Sequence, residues 1–307
     1  VITPKYIGQP RIIETAIATL LTERGLLLLG VPGTAKSWVS EHLAAAISGD
    51  SSRMVQGTAG MSEDQLRYGW NYALLLAEGP SERALVPSPV MRAMTSGTLC
   101  RIEELTRIPS DVQDALITVL SEKALPIPEL NQIARAQAGF NVIATANDRD
   151  RGVNDLSAAL QRRFNTVVLP LPATLEEELQ IVRQRTIPFA KNLGLPQEVQ
   201  ASQEIQRLIQ VFRELRSGLT EDRKHKVKSP SATLSAAEAI ATLQNALAFS
   251  ASFGSGGLSI HDLAPALAGA VVKDPAQDLP VWKEYLVNIV QKRTDWVDWF
   301  DACMEQL

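Results

Sequence analysis

The residues best placed to do chemistry lie in one short stretch, Gly25-Leu-Leu-Leu-Leu-Gly-Val-Pro-Gly-Thr-Ala-Lys-Ser-Trp38. An apolar run, Leu26 to Leu29, ends at Gly30. Val31, Pro32, Gly33, Thr34 and Ala35 follow, and Lys36, Ser37 and Trp38 open a helical pattern. Strand, glycine-bearing loop and helix in that order make an anion cradle, because the loop N–H groups turn inward and the positive end of the helix dipole adds to them. Lysine at the helix start reaches the β- and γ-phosphates of a nucleoside triphosphate, and the hydroxyl after it ligates Mg²⁺. Gly30 to Trp38 are therefore the candidate nucleotide contacts. The spacing departs from G-x-x-x-x-G-K-[ST] at Ala35, where glycine is expected, and alanine costs little there unless φ must be positive. The plain alternative is a strand–turn–helix corner with a chance Lys-Ser.

A phosphate loop alone means only binding. Leu99-Cys-Arg-Ile-Glu103-Glu104 ends another apolar strand with two carboxylates, and ligands of parallel sheets sit at the carboxyl ends of the strands. Glu103 would hold Mg²⁺ through water, with Ser37 as the other metal-side residue, and Glu104 would polarise the attacking water. Asn147 ends the strand Phe140–Ala146 and could hold that water, although a strand-terminal Asn also serves as a turn residue. Arg162 and Arg163 close a helical segment, Leu160-Gln-Arg-Arg-Phe164. They either complement the helix dipole or reach the nucleotide of a neighbouring subunit as an arginine finger, Arg163 being the first choice. Such fingers are worth about 10³–10⁵ in rate.

The elements that must position these groups follow from periodicity. The sequence predicts a helix over 10–23, strands at 26–30, 53–56, 98–102, 140–146 and 167–171, and helices over 36–48, 110–122 and 154–163. Residues 60–90 read as irregular and 123–138 as a hairpin or loop. Ser110-Asp-Val-Gln113 and Thr174-Leu-Glu-Glu177 resemble capping boxes. Alternating strands and helices imply an α/β core, a five-stranded parallel sheet with helices on both faces. An all-α region then spans 174–187, 197–216, 231–250, 260–272 and 279–306. The expected division is a core over 1–172, a helical lid over 173–272 and a helical extension over 273–307.

Bulk composition narrows the classes. The chain has 307 residues, 45% apolar and 21% charged, with a formal net charge of −4. The acidic balance argues against a nucleic-acid footprint. Two distant cysteines, Cys100 and Cys303, give no disulfide framework and fit a reducing, cytoplasmic setting. No apolar run reaches the roughly 18 residues of a membrane span, and no signal-peptide pattern is present. His42, His225 and His261 show no metal spacing. Arg223-Lys-His-Lys-Val-Lys228 reads as a solvated loop between helices. The aromatics Trp282, Tyr285, Trp296, Trp299 and Phe300 read as a stripe packed on its own domain, or else as a docking face.

The series GVPGTAKS, IEELTRIPSDVQDALITVLSE, NVIATAN and LSAALQRRF resembles the AAA+ ATPases, and closely the MoxR family, over roughly residues 4–272, with Ile7-Gly8-Gln9 similar to that family's entry motif. The resemblance implies that Lys36 and Ser37 belong to Walker A, Glu103 and Glu104 to Walker B, Asn147 to sensor 1 and Arg163 to the finger. Arg107 matches an arginine just after Walker B. Residues 60–90 would be the insertion in helix two and 123–138 the hairpin before sensor 1, both facing the pore or a partner. Three positions depart from the pattern. Glu103 stands where Asp is usual, Arg101 fills a strand position usually apolar, and Ser231 follows Ser229-Pro230 where the sensor 2 arginine is expected. No arginine lies between Arg223 and Arg293, and the ammonium of Lys226 or Lys228 does not copy a guanidinium fork.

The expectation is an ATPase using ATP and Mg²⁺, assembled as a homo-oligomeric, hexameric ring and remodelling or maturing a protein client. The resemblance suggests a von Willebrand A-domain protein as that client. The competing expectations are a nucleotide-gated scaffold with little hydrolysis and a nucleic-acid-dependent motor. A chelatase-type motor is a variant of the first.

Overall fold

The structure is a computed structural model and describes residues 2, 5–147, 156–195, 203–254 and 257–307. It divides into two compact units, Val1–Val31 with Ala35–Pro170, and Pro32–Thr34 with Leu171–Leu307.

The first unit is built on β1 (Gly25–Gly30), β2 (Met54–Gln56), β5 (Leu99–Glu103), β8 (Asn141–Asn147) and β9 (Phe164–Val168). They form a five-stranded sheet in the order β2-β5-β8-β1-β9, every neighbouring pair parallel. Alternate residues of a strand face opposite sides, and here both sides are covered. Leu26, Leu28, Leu99 and Ile143 pack with Ile13 of α1 (Pro10–Leu20) and Val39 and Leu43 of α2 (Lys36–Ser48). Leu27, Cys100, Ile102, Val142 and Ala144 pack with Val90 and Met94 of α4 (Pro89–Ser96). The same cluster takes Leu116 and Val119 of α6 (Ala115–Ser121). That two-sided burial is why these strands are continuous apolar runs.

The sequence expectations shift in several places. Residues 60–90 are not irregular: β3 (Tyr68–Trp70) and β4 (Leu85–Pro87) pair antiparallel and enclose α3 (Tyr72–Glu78). Helix α4 lies where the sequence reading places no helix, although Ser88 caps it through Met91 N–H and Pro89 opens it, the usual signals of a helix start. Ser110 is not a cap. It begins α5 (Ser110–Gln113) after Pro109, and α6 follows as a separate helix. The expected hairpin is present, β6 (Ala124–Ile127) against β7 (Gln132–Arg135). The last strand lies three residues earlier than expected, because Gly25 pairs with Phe164. The helix expected over 154–163 falls partly on residues 148–155, outside the described residues. Its described part is α7 (Ala158–Gln161).

The second unit contains α8 (Leu175–Asn192), α9 (Gln203–Ser217), α10 (Ala236–Phe253), α11 (Ile260–Val271), α12 (Pro275–Asn288) and α13 (Val297–Met304). Thr174 caps α8 through Glu177 N–H, while the Glu177 carboxylate accepts from Ala173 N–H instead of closing a box on Thr174. Residues 197–202 of the expected second helix lie outside the described residues. Leu179, Phe212, Leu243, Leu263, Trp282 and Trp299 share one core, so the aromatic stripe is packing, not a free face. The helix expected over 279–306 breaks after Asn288. The break lets Arg293 donate to the buried Glu214 at 2.6 Å and lie over the Trp296 ring. Arg223 to Lys228 form a loop, as expected, with an isolated bridge between Leu219 and Lys226. Among the described residues no helix is long and apolar enough to cross a membrane.

Candidate nucleotide site

The loop after β1 turns through two left-handed positions, Gly33 at φ +81° and Ala35 at φ +63°. Ala35 is the residue just before α2. A loop passing through left-handed φ at the mouth of a helix turns successive N–H groups to one side, which is the geometry of an anion nest. The alanine therefore does sit where φ must be positive, and it carries a strain glycine would not.

Lys36 is buried, and its ammonium donates to Gly30 O at 2.8 Å and Val31 O at 2.9 Å. The charge is thus held beneath the loop. Thr34 is buried, Val31, Pro32 and Gly33 are half-buried, and Ser37 is exposed. Trp38 is half-buried, one helical turn from His42, with ring centroids 4.1 Å apart. Its carbonyl accepts from His42 Nδ1 at 2.9 Å, and since a carbonyl only accepts, that nitrogen carries the proton.

Glu103 joins the elements. Its Oε2 accepts from Ser37 Oγ at 2.8 Å and Thr145 Oγ1 at 2.7 Å. Its Oε1 accepts from Ser40 Oγ at 2.5 Å and Arg101 Nη2 at 2.8 Å. Burial pushes the carboxyl up, and the bonds from Ser40, Thr145, Ser37 and Arg101 outweigh it, so the group stays ionised below the usual carboxylate range. Ser40, Arg101 and Thr145 were missed as site residues. The signal was available: a serine one turn after Ser37, and a guanidinium and a hydroxyl inside strands otherwise apolar.

Glu104 follows in a left-handed conformation, φ +55°. Its N–H donates to Thr145 Oγ1 at 3.0 Å, and its carboxylate pairs with Arg107 at 3.0 Å. Gly57 lies against this turn, accepting no Cβ: one built there would sit 2.4 Å from Glu104 O. Asn147 ends β8 directly beside Gly30 in the sheet register. The sheet thus brings Gly30, Lys36, Ser37, Glu103, Glu104 and Asn147 to one edge.

It does not bring the two arginines there. Gly25 N–H donates to Arg163 O at 2.9 Å, so Arg163 sits at the start of β1, whose far end is Gly30, about 17 Å along an extended strand. Arg163 Nε donates to Ser121 Oγ at 2.8 Å and Nη1 to Ala159 O at 2.6 Å, while Arg162 is exposed.

Magnesium takes hard oxygen donors and keeps several waters beside phosphate oxygens. Ser37 fits, since it donates its own proton to Glu103 and keeps its lone pairs. Among the described residues no group of three or more His, Cys, Asp or Glu could hold a metal ion alone.

Residues 25–164 match the AAA domain of the dynein-related subfamily, and residues 176–299 match the YehL-like AAA+ ATPase C-terminal domain. The uncharacterized protein YehL of Escherichia coli (strain K12) is 40% identical over 308 residues, covering 98% of this chain and 84% of that protein. NtrX from Brucella abortus, solved in complex with ADP, matches at TM-score 0.56 and 11% identity, over 94% of this chain and 60% of that one. Its complex with ATP matches at TM-score 0.52 and 12% identity, over 97% and 66%. These structures share the fold, a parallel sheet with helices followed by a helical region. By the extent of its identity to YehL and the two matched segments in order, the chain belongs to the AAA+ ATPases, with a YehL-like C-terminal domain.

Proposed function

We propose that the chain binds ATP at the Gly30–Ser37 loop and hydrolyses it, using a neighbouring copy to complete the site. The observation that carries this reading is the junction at Glu103, where one carboxylate ties the helix that opens the phosphate loop to the two central strands. Lys36 and the loop N–H groups hold the β- and γ-phosphates. Mg²⁺, when bound, supplies charge to the same oxygens, and Ser37 is the residue that would hold it. Glu104, on its sharp turn, orients the attacking water and takes its proton, and Asn147, beside Gly30, fixes the far side of that water. Catalysis here is positioning plus charge stabilisation. Arg163 lies too far along β1 to serve its own nucleotide, which suits a finger offered to the next subunit of a ring.

A protein client is the reading we favour for the work done. Helix α3 leaves Tyr72 and Leu76 exposed at 69% and 88%, and exposed apolar groups on one short helix suit a protein contact. A chaperone-like remodelling or maturation role, a von Willebrand A-domain client and a hexameric ring extend this reading.

Phosphate release by the assembled protein, beside Glu104→Gln, tests it. Hydrolysis predicts turnover in the parent and a drop of about 10²-fold or more in the variant. A nucleotide-gated scaffold predicts the same negligible rate in both. That second reading is favoured by Ser231, which holds Asp278 through its N–H at 2.7 Å and hydroxyl at 2.8 Å where the family places an arginine. Stimulation by DNA that fades with salt would point to a nucleic-acid motor.

A further inference from the structure

Arg101 is a buried guanidinium in the strand that carries the Walker B carboxylates, 8% exposed. It donates to Glu103 Oε1 at 2.8 Å, Ser40 Oγ at 3.1 Å, Ser51 O at 3.1 Å and Ser37 O at 3.4 Å. It therefore touches both residues expected on the metal side of the nucleotide. Its charge is permanent, so the Arg101–Glu103 pair sums to zero.

Glu103 is also saturated. A carboxylate offers about four acceptor positions, and Arg101, Ser40, Ser37 and Thr145 take four. Water on a metal would have to displace one of these donors before it could bond to Glu103.

We propose that Arg101 is a positioning residue that withdraws Glu103 from metal binding, so that this site grips ATP with little dependence on Mg²⁺. Glu103 then acts as a pivot that orients Ser37 and joins α2 to β8, and the fixed guanidinium lowers the pull of the pocket on any second cation. This rests on the ATP-binding reading above.

The test is ATP binding by calorimetry, in excess EDTA and in excess Mg²⁺, with the full chain. The parent should bind in both, with affinities within about threefold of one another, where a tenfold change corresponds to about 1.4 kcal/mol. Glu103→Gln, which leaves the guanidinium uncompensated beside Ser37, should not raise that ratio. Arg101→Met should raise the ratio about tenfold by leaving the carboxylate unpaired, and Arg101→Lys, which keeps the charge, should return it toward the parent. Mg²⁺ tightening of the parent by well over about tenfold, lost in Glu103→Gln, would overturn the proposal while leaving ATP binding intact. Should Arg101→Met fail to fold, the parent and Glu103→Gln still decide it. Absence of ATP binding in both media overturns this proposal together with the reading beneath it.

Discussion

Thr145 Oγ1 donates to Glu103 Oε2 at 2.7 Å and accepts from Glu104 N–H at 3.0 Å. One hydroxyl on β8 thus sets the orientation of the first carboxylate and the backbone turn that aims the second. Thr145→Val, which keeps the shape, removes both bonds and leaves a backbone N–H without its acceptor. The expected loss is about 1–3 kcal/mol of stability in urea unfolding, with phosphate release falling further than ATP affinity.

Ala35 occupies a left-handed conformation at the mouth of the phosphate loop. Ala35→Gly should relieve strain and stabilise the chain by about 0.5–1 kcal/mol. ATP affinity should be equal or tighter. A lower melting temperature would contradict the strained-nest account.

Gly57 donates to Glu103 O at 2.8 Å and has no room for a side chain beside Glu104 O. Gly57→Ala must push the end of β5 away, costing about 1–3 kcal/mol. Binding of ATP should survive, because the Lys36 loop is untouched, while hydrolysis should be lost. Thermal melting and phosphate release on the same preparation separate the two effects.

The placement of Arg163 at the far end of β1 makes the finger a test of assembly. Arg163→Ala and Glu104→Gln should each be inactive alone. Mixed in equal parts, they should recover roughly a quarter of the parent turnover, from interfaces pairing an intact Glu104 with an intact Arg163 across subunits. Arg162→Ala should turn over near the parent rate. No recovery on mixing, with both variants assembled, would sink the trans assignment.

In the helical unit, Asp278 is 1% exposed. It accepts from Ser231 N–H at 2.7 Å, Ser231 Oγ at 2.8 Å, Lys273 N–H at 2.9 Å and Asp274 N–H at 2.8 Å. Burial raises its pKa, and the Ser231, Asp274 and Lys273 donors bring it down to about 2 from 3.8. A carboxyl with a depressed folded-state value stabilises above its unfolded value and loses that contribution as pH falls through the folded one. The stability gap between parent and Asp278→Asn should be full above about pH 4 and shrink toward pH 2. A gap that is unchanged across that window would contradict the assignment.

The sheet was legible because its central strands are buried on both faces, so Leu26–Leu29 and Val142–Ala146 stand out as apolar runs. The loop between β1 and α2 was legible because its strand, glycine-bearing turn and helix follow one another in sequence. What escaped was set by tertiary pairing. The last strand took its register from Gly25 against Phe164. The insertion around α3 closes only when Tyr68–Trp70 meets Leu85–Pro87. The final helix broke so that Arg293 could reach Glu214 from another helix. Ser40, Arg101 and Thr145 come from three elements and become a site only where Glu103 gathers them. Arg101 stands out in an apolar strand because its partner, Glu103, lies two residues on.

Calorimetric titration of ATP into the parent and Lys36→Ala, with melting curves to show both are folded, probes the phosphate cradle most directly. The parent should bind, and the variant should lose at least about tenfold in affinity, or about 1.4 kcal/mol. Equal affinity in the two, or no binding by the parent, would contradict the account.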